Sequence, residues 1–287
     1  MPVLVERDQL VSANGKLEAS TSLAQVTGPG IGGLLVGLFS APVAILFDVA
    51  TYLVSSIAIF GIRAPEPDHV PSQESIRSQI AEGIGFIRSN RTLRVLAGSS
   101  VINNLFGLMF VSVFVLYLTR ELDMGPSMVG LIFAIGGAGA VVGAASASRI
   151  SAALGVGRTL VLTQLGMGIS GLLVPLALFV PSRAALLIGM VEFIQFVMIV
   201  VYAVNAVSLR QAITPQRLQG RVNAAFRFFS FGMQPFGSLI GGICGGLIGL
   251  APTLIVAQVG IFSAFILLAG STLRSATTIP AHDAAMQ

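Results

Sequence analysis

Eight stretches of this chain stay apolar for the length of a membrane crossing, and that pattern limits the fold more than any motif does. A spanning helix needs about 20 predominantly apolar residues. Such runs are read at Leu17–Phe39, Pro42–Ile62, Val95–Leu118, Met128–Ile150, Thr159–Val180, Ala184–Leu209, Val222–Leu250 and Pro252–Leu273. They are too long for strands and lack the alternation of a barrel wall. Only 10% of the 287 residues are charged, and mean hydropathy is +0.90. A soluble fold could not cover so much apolar surface with so few polar groups. The expected class is an all-α polytopic membrane protein with about eight transmembrane helices.

The bases set an expected orientation. With the N-terminus in the cytoplasm, every one of the 16 Lys and Arg residues except Arg120 and Arg183 falls at a cytoplasmic edge. Positive charge is retained on the cytoplasmic side, so both termini are expected there, in a multi-pass protein of a bacterial cell membrane. No basic block with interleaved aromatics suggests nucleic acid. The single cysteine, Cys244, allows no internal disulfide, and no metal-ligand spacing occurs. There is no GxxxxGK[ST], HExxH, Ser/His pair or acid cluster. No cofactor and no enzymatic activity are expected. The expected partners are the lipid bilayer, a small-molecule substrate and protons; the oligomeric state is left open.

Residues 63–94 form the longest polar segment. Within it Ile76, Ile80, Ile84 and Ile87 recur at helical spacing, opposite Arg77, Glu82 and Arg88. That is the pattern of an amphipathic helix lying on the cytoplasmic membrane surface, with a soluble linker helix as the alternative. The tail, 275–287, is short and polar.

Gly28-Pro29-Gly30-Ile31-Gly32-Gly33 fits GxGxxG, yet it sits inside an apolar run with no strand before it. A copy lies about 209 residues on. Asn14 precedes Gly32 by 18 residues, as Asn223 precedes Gly241, and Gly28 corresponds to Gly237. Ala41-Pro42 opens the second span as Ala251-Pro252 opens the eighth. The copy loses GxGxxG but keeps the first glycine and the pair. The repeated property is therefore a bend with a close-packing face. Gly139 with Gly143, Gly241 with Gly245 and Gly242 with Gly246 carry the same small-residue spacing. Repeated helix bundles are the architecture of secondary transporters.

On these residues the chain resembles the major facilitator superfamily, from that family's fifth helix to its twelfth. The nearest likeness is to bacterial drug, macrolide and siderophore exporters. Arg7-Asp8-Gln9-Leu10, Ala13-Asn14, Gly220-Arg221-Val222-Asn223, Pro235 and Gly241-Gly242 carry it. Gly15, Gly28, Pro29, Gly32 and Gly33 match the family's antiporter motif, with Ala24 in place of its middle glycine. Gly143, Arg149, Gly155, Gly157 and Arg158 keep the outline of a loop motif but include no acid. The resemblance implies an N-terminally truncated major facilitator fold lacking four helices. Residues 1–62 would be the last two helices of an N-terminal bundle, 63–94 the linker and 95–274 a six-helix C-terminal bundle. It also implies proton-coupled efflux of small amphiphilic molecules. The alternative is a transport-inactive fragment or a half-transporter that needs a partner.

Acids inside apolar spans point to function. Glu192 and Asp48 are the candidate proton carriers. Gln195, Tyr202 and Asn205 continue one helical face from Glu192, whereas no polar stripe continues from Asp48. Asn103, Asn104, Phe110 and Tyr117 on the third span, with Gln234 on the seventh, are the further cavity candidates. The plainer reading of each, a residue satisfied by a neighbouring helix or facing lipid, stays open.

Overall fold

Proline, glycine and asparagine set the helix ends. A computed structural model describes residues 35, 39, 41–61 and 76–271. The described residues contain helices and no strand. α1 covers Ala41–Phe60, α2 Ile76–Ser89 and α3 Arg91–Leu116. Asn90 alone separates α2 from α3; its side chain accepts the Leu93 N–H at 3.1 Å, an N-cap that starts the new helix. A π-helical turn, Tyr117–Glu121, extends α3. Pro126 opens α4, Pro126–Leu154, where a missing N–H costs nothing. Gly155, at φ 83°, turns the chain straight into α5, Val156–Leu172. A side chain is disfavoured at that φ. α6 covers Ala184–Ile213, α7 Gln216–Gly232, α8 Gln234–Ile248 and α9 Leu250–Ala269. Gly249, at φ 93°, joins the last two.

Seven described segments are long and apolar enough to cross a membrane, beginning with Val43–Phe60 and ending with Leu250–Ala269. They correspond to the second through eighth runs of the sequence. The first run, with Gly28, Pro29, Gly32 and Gly33, lies outside the described residues except for Leu35 and Phe39, and so does Gly15. The run at Val222–Leu250 is two helices rather than one. Pro235 cannot donate to the Phe231 carbonyl one turn back, and the helix breaks at Met233. Pro175 acts likewise after α5, where the chain tightens into a 3-10 segment, Val174–Phe179.

Helices α3 to α9 close around two apolar cores. One gathers Leu93, Leu96, Leu160, Leu209, Val222 and Leu268. The other gathers Met109, Phe114, Tyr117, Leu118, Ile188 and Leu254. α4 lies along α6, α3 packs between α8 and α9, and α5 packs between α6 and α9. α3 and α6 barely meet, which leaves a space between them. α1 stands clear: from Ile45 to Gly61 every residue is exposed.

Glycine makes the tightest helix contacts possible. A Cβ on Gly139 would strike the Phe193 carbonyl of α6, and one on Gly143 would lie 2.8 Å from the Val197 carbonyl. Gly237 and Gly241 press α8 onto the backbone of α3 at Leu105 and Met109. Gly242 and Gly246 face open space. The repeated Gly241-Gly242 pair is therefore half helix contact and half open surface.

α2 docks against α7. Ile87 is buried and Ile84 half-buried in the core that includes Leu218 and Val222, while Ile80 stays exposed. Gly83 lets the helix approach the Arg221 carbonyl, 2.8 Å from where a Cβ would sit. Glu82 accepts from Arg217 at 2.9 Å and also pairs with Arg221. The Arg217 pair is largely solvated, so the clamp orients more than it stabilises. Glu82→Ala is expected to cost under about 1 kcal/mol in global stability. It should nevertheless raise amide hydrogen exchange across Ile76–Ser89; unchanged exchange there would show that the apolar contacts alone hold α2.

Candidate functional site: a polar cavity between α3 and α6

One turn of α3 connects the bundle. Ser99, Ser100, Asn103 and Asn104 face different neighbours because 100° steps spread them around the helix. The Ser99 hydroxyl and the Tyr202 hydroxyl of α6 are 2.6 Å apart, and Ser100 meets Ser230 of α7 at 2.6 Å. Asn103 and Gln164 of α5 exchange two amide hydrogen bonds at 2.9 Å, and Gln164 also donates to the Ile261 carbonyl of α9 at 3.0 Å. Asn104 accepts from Gln234 of α8 at 2.9 Å. Each such bond between membrane helices contributes on average about 0.6 kcal/mol, because polar groups also find partners in the unfolded state within the bilayer. Their joint effect is to hold five helices around one level of α3.

That level borders a cavity of about 510 Å³. Its walls are α3, α6 and α7, with Phe133 of α4, Met167 of α5 and Ile261 of α9 contributing. The surface is mostly aromatic and aliphatic, with a few amides and charges. This is the composition of a small-molecule site.

Two polar side chains in the wall have oxygens without a partner. Glu192 is 3% exposed and Gln195 6%, and the Oε1 atom of each is buried and unpaired among the described residues. Arg210 and Arg227 border the same cavity. Arg210 stacks over the Phe226 ring at 4.6 Å, and Arg227 over Phe231 at 5.6 Å. Among the described residues no group of His, Cys, Asp and Glu could hold a metal ion.

The sequence candidates divide. Glu192, Gln195, Asn103, Asn104, Phe110 and Tyr202 line the cavity. Gln234 reaches it only through Asn104. Tyr117 does not line it: the ring fills the second core, and the hydroxyl donates to the Val174 carbonyl at 3.2 Å, one freed by the 3-10 segment. Asn205 does not line it either, since its amide donates to the Val201 carbonyl of its own helix at 2.8 Å. Asp48 is exposed on α1, away from the cavity. Gly143 and Arg149 of the loop-motif outline are inside α4. The sequence reading passed over Ser99, Ser100, Ser230 and Phe226, and took Arg210 only as a base at the cytoplasmic edge. A polar face at Ser99, Ser100, Asn103 and Asn104, spaced by three and four, was the available signal.

The sequence profile of the Major Facilitator Superfamily matches residues 3–238. The multidrug efflux pump Tap of Mycolicibacterium fortuitum is 26% identical over 249 residues, which cover 85% of this chain and 59% of that protein. The multidrug efflux pump Tap of Mycobacterium tuberculosis (strain ATCC 25618 / H37Rv) is 30% identical over 116 residues, 39% of this chain and 25% of that protein. The chain thus spans little more than half the length of the first of these relatives. No solved structure matches it.

Proposed function

The chain belongs to the major facilitator superfamily, and on that premise we propose that it is a secondary active exporter of small amphiphilic molecules, driven by proton entry through alternating access. The observation that carries this reading is the buried, unpaired Glu192 in a cavity otherwise walled by aromatics and amides. An acid inside a membrane bundle is costly, and it persists where it serves a substrate or ion pathway. Glu192 would carry the proton. Phe110, Asn103, Asn104, Gln195 and Tyr202 would face the substrate. The name of the relatives, multidrug efflux pump, agrees with export of small molecules.

The arginines support an orientation in a bacterial cytoplasmic membrane. Arg88, Arg91 and Arg94 by the α2–α3 junction, Arg149 and Arg158 by the Gly155 turn, and Arg217 and Arg221 on α7 would face the cytoplasm. Arg120 and Arg183 would face outward. Both termini would then be cytoplasmic. Residues 1–62 would belong to an N-terminal bundle and 95–274 to a C-terminal one, joined by 63–94. Rocking of the bundles would open the cavity to each side in turn.

A pH gradient tests the coupling. Each pH unit stores about 1.4 kcal/mol per proton, enough for a tenfold substrate gradient at one-to-one exchange. Proteoliposomes holding the chain and a fluorescent amphiphile should expel the dye when protons are allowed to run the opposite way, and a protonophore should return the rate to passive leak. Efflux indifferent to the gradient would sink the reading.

A further inference from the structure

A second hollow lies on the other side of α6, between that helix and α4. It is a groove of about 270 Å³ and shares no lining residue with the central cavity. Ile135 supplies its α4 wall, and Leu186, Gly189, Met190, Phe193 and Ile194 its α6 wall. No polar side chain lines it. Gly189 keeps it open: a Cβ there would lie 3.2 Å from the Ile135 side chain, so a larger residue would fill the space.

The groove has a direction. α4 and α6 run the same way, since Gly139 meets Phe193 and Gly143 meets Val197. Their starts therefore share one end of the bundle, and the groove begins near that end. Leu186, Met190 and Ile194 follow at steps of four and are all exposed, so they form one stripe along α6. Arg183, also exposed, precedes Leu186 by three residues and heads the stripe. From Arg183 to Ile194 is 11 residues (194 − 183), roughly 16 Å at a 1.5 Å rise. Half of a hydrocarbon core is about 15 Å. The stripe is thus as long as one leaflet is deep, with a guanidinium at its headgroup end.

We propose that this groove seats one acyl chain of an anionic phospholipid, phosphatidylglycerol, with Arg183 on the lipid phosphate. The inference needs only that the bundle lies in a membrane, and it is independent of the transport reading. Any hydrocarbon chain suits the apolar walls, so the walls do not choose among lipids. Arg183 does choose. A guanidinium can donate two parallel hydrogen bonds to one phosphate. In a zwitterionic lipid the choline ammonium offsets that phosphate's charge; phosphatidylglycerol carries no such group. Basic sites between spanning helices take anionic headgroups for this reason. Among the described residues of α3 to α9, the other charged groups at this end are Arg120, Glu121 and Asp123, which belong to the turn before α4 and not to the groove.

The chain contains no tryptophan, so a single one placed in the stripe reports only its own surroundings. Met190→Trp is reconstituted as the full chain in vesicles of unlabelled lipid mixed with either brominated phosphatidylglycerol or brominated phosphatidylcholine. Quenching by the bromines gives the relative affinity of the two lipids for the groove. Phosphatidylglycerol should be preferred roughly fivefold, the factor expected of one arginine beside an anionic headgroup. Arg183→Gln in the same background should remove the preference. Ile243→Trp, exposed on α8, a helix without a basic residue, should show none in either background. Ile194→Trp, one turn further along the stripe, gives the same reading should Met190→Trp disturb folding. Equal quenching by the two lipids at the stripe, a preference that survives Arg183→Gln, or the same preference at Ile243→Trp would overturn the proposal.

Discussion

Replacing Glu192 with Gln is expected to reduce gradient-driven efflux from proteoliposomes to the leak of protein-free vesicles, a fall of about tenfold or more. The physical reason is the single charge that the substitution removes. An ionised carboxylate buried away from water is costly unless a cation or a proton accompanies it. On the proposed reading Glu192 would exchange one positive partner for another as the cavity opens to each side, and that exchange would be the coupling. Gln has the same length and can fill the same space, but it can neither release nor take up a proton. Among the described residues, the other groups facing the cavity that carry charge or titrate are Arg210, Arg227 and Tyr202. None of them is a second acid that could replace it. Glu192→Asp keeps the charge, displaced by about one methylene, and should retain part of the coupling. Asp48, exposed on α1, should tolerate Asn. Undiminished proton-driven efflux from Glu192→Gln would remove the proton-carrier role from this residue.

The second large effect lies in packing. Gly139→Leu should lower the thermal midpoint and the yield of folded protein in the membrane. Even the first carbon of the new side chain meets the Phe193 backbone, with the carbonyl carbon and Cα at 3.0 Å. Backbone cannot rotate out of the way as a side-chain tip can, so α4 and α6 must separate along their length. Overpacking of this kind costs about 3 kcal/mol, at the upper end of the usual range. In a chain of this size that is a drop of about 5 °C. Gly242→Ala is the matched control. Nothing lies within 4 Å of its Cβ position, so the substitution should leave the midpoint unchanged or raise it slightly through helix propensity. Both melts can be followed by circular dichroism in detergent. If Gly139→Leu melted with the wild type, the α4–α6 contact would have to be looser than the structure has it.

These residues also show how far the chain could be read without coordinates. Seven of the eight apolar runs reappear as described spanning segments, because hydropathy and run length are local properties. Glu192 and Gln195 were recognisable as a polar stripe in an apolar helix for the same reason. The break at Met233 was half legible. Pro235 was visible, but an apolar run conceals a helix interruption when both pieces remain in lipid. The amphipathic face of α2 was equally visible, yet its partner was not. Ile84 and Ile87 suit a membrane surface as well as they suit Leu218 and Val222.

Pairing was the part beyond reach. Tyr117, Asn205 and Glu192 look alike in sequence, each a polar group within an apolar run. Tyr117 is taken up by a carbonyl freed at the 3-10 segment, and Asn205 by the preceding turn of its own helix. Glu192 Oε1 is left with no partner among the described residues. Composition and periodicity by themselves determined that this is an all-α membrane chain, where its spans run and which few polar groups they carry. Only the tertiary structure decided which of those groups are satisfied and which face a cavity. A buried polar group's energy depends on the atom opposite it, and for Tyr117 that atom lies 57 residues away, in another element.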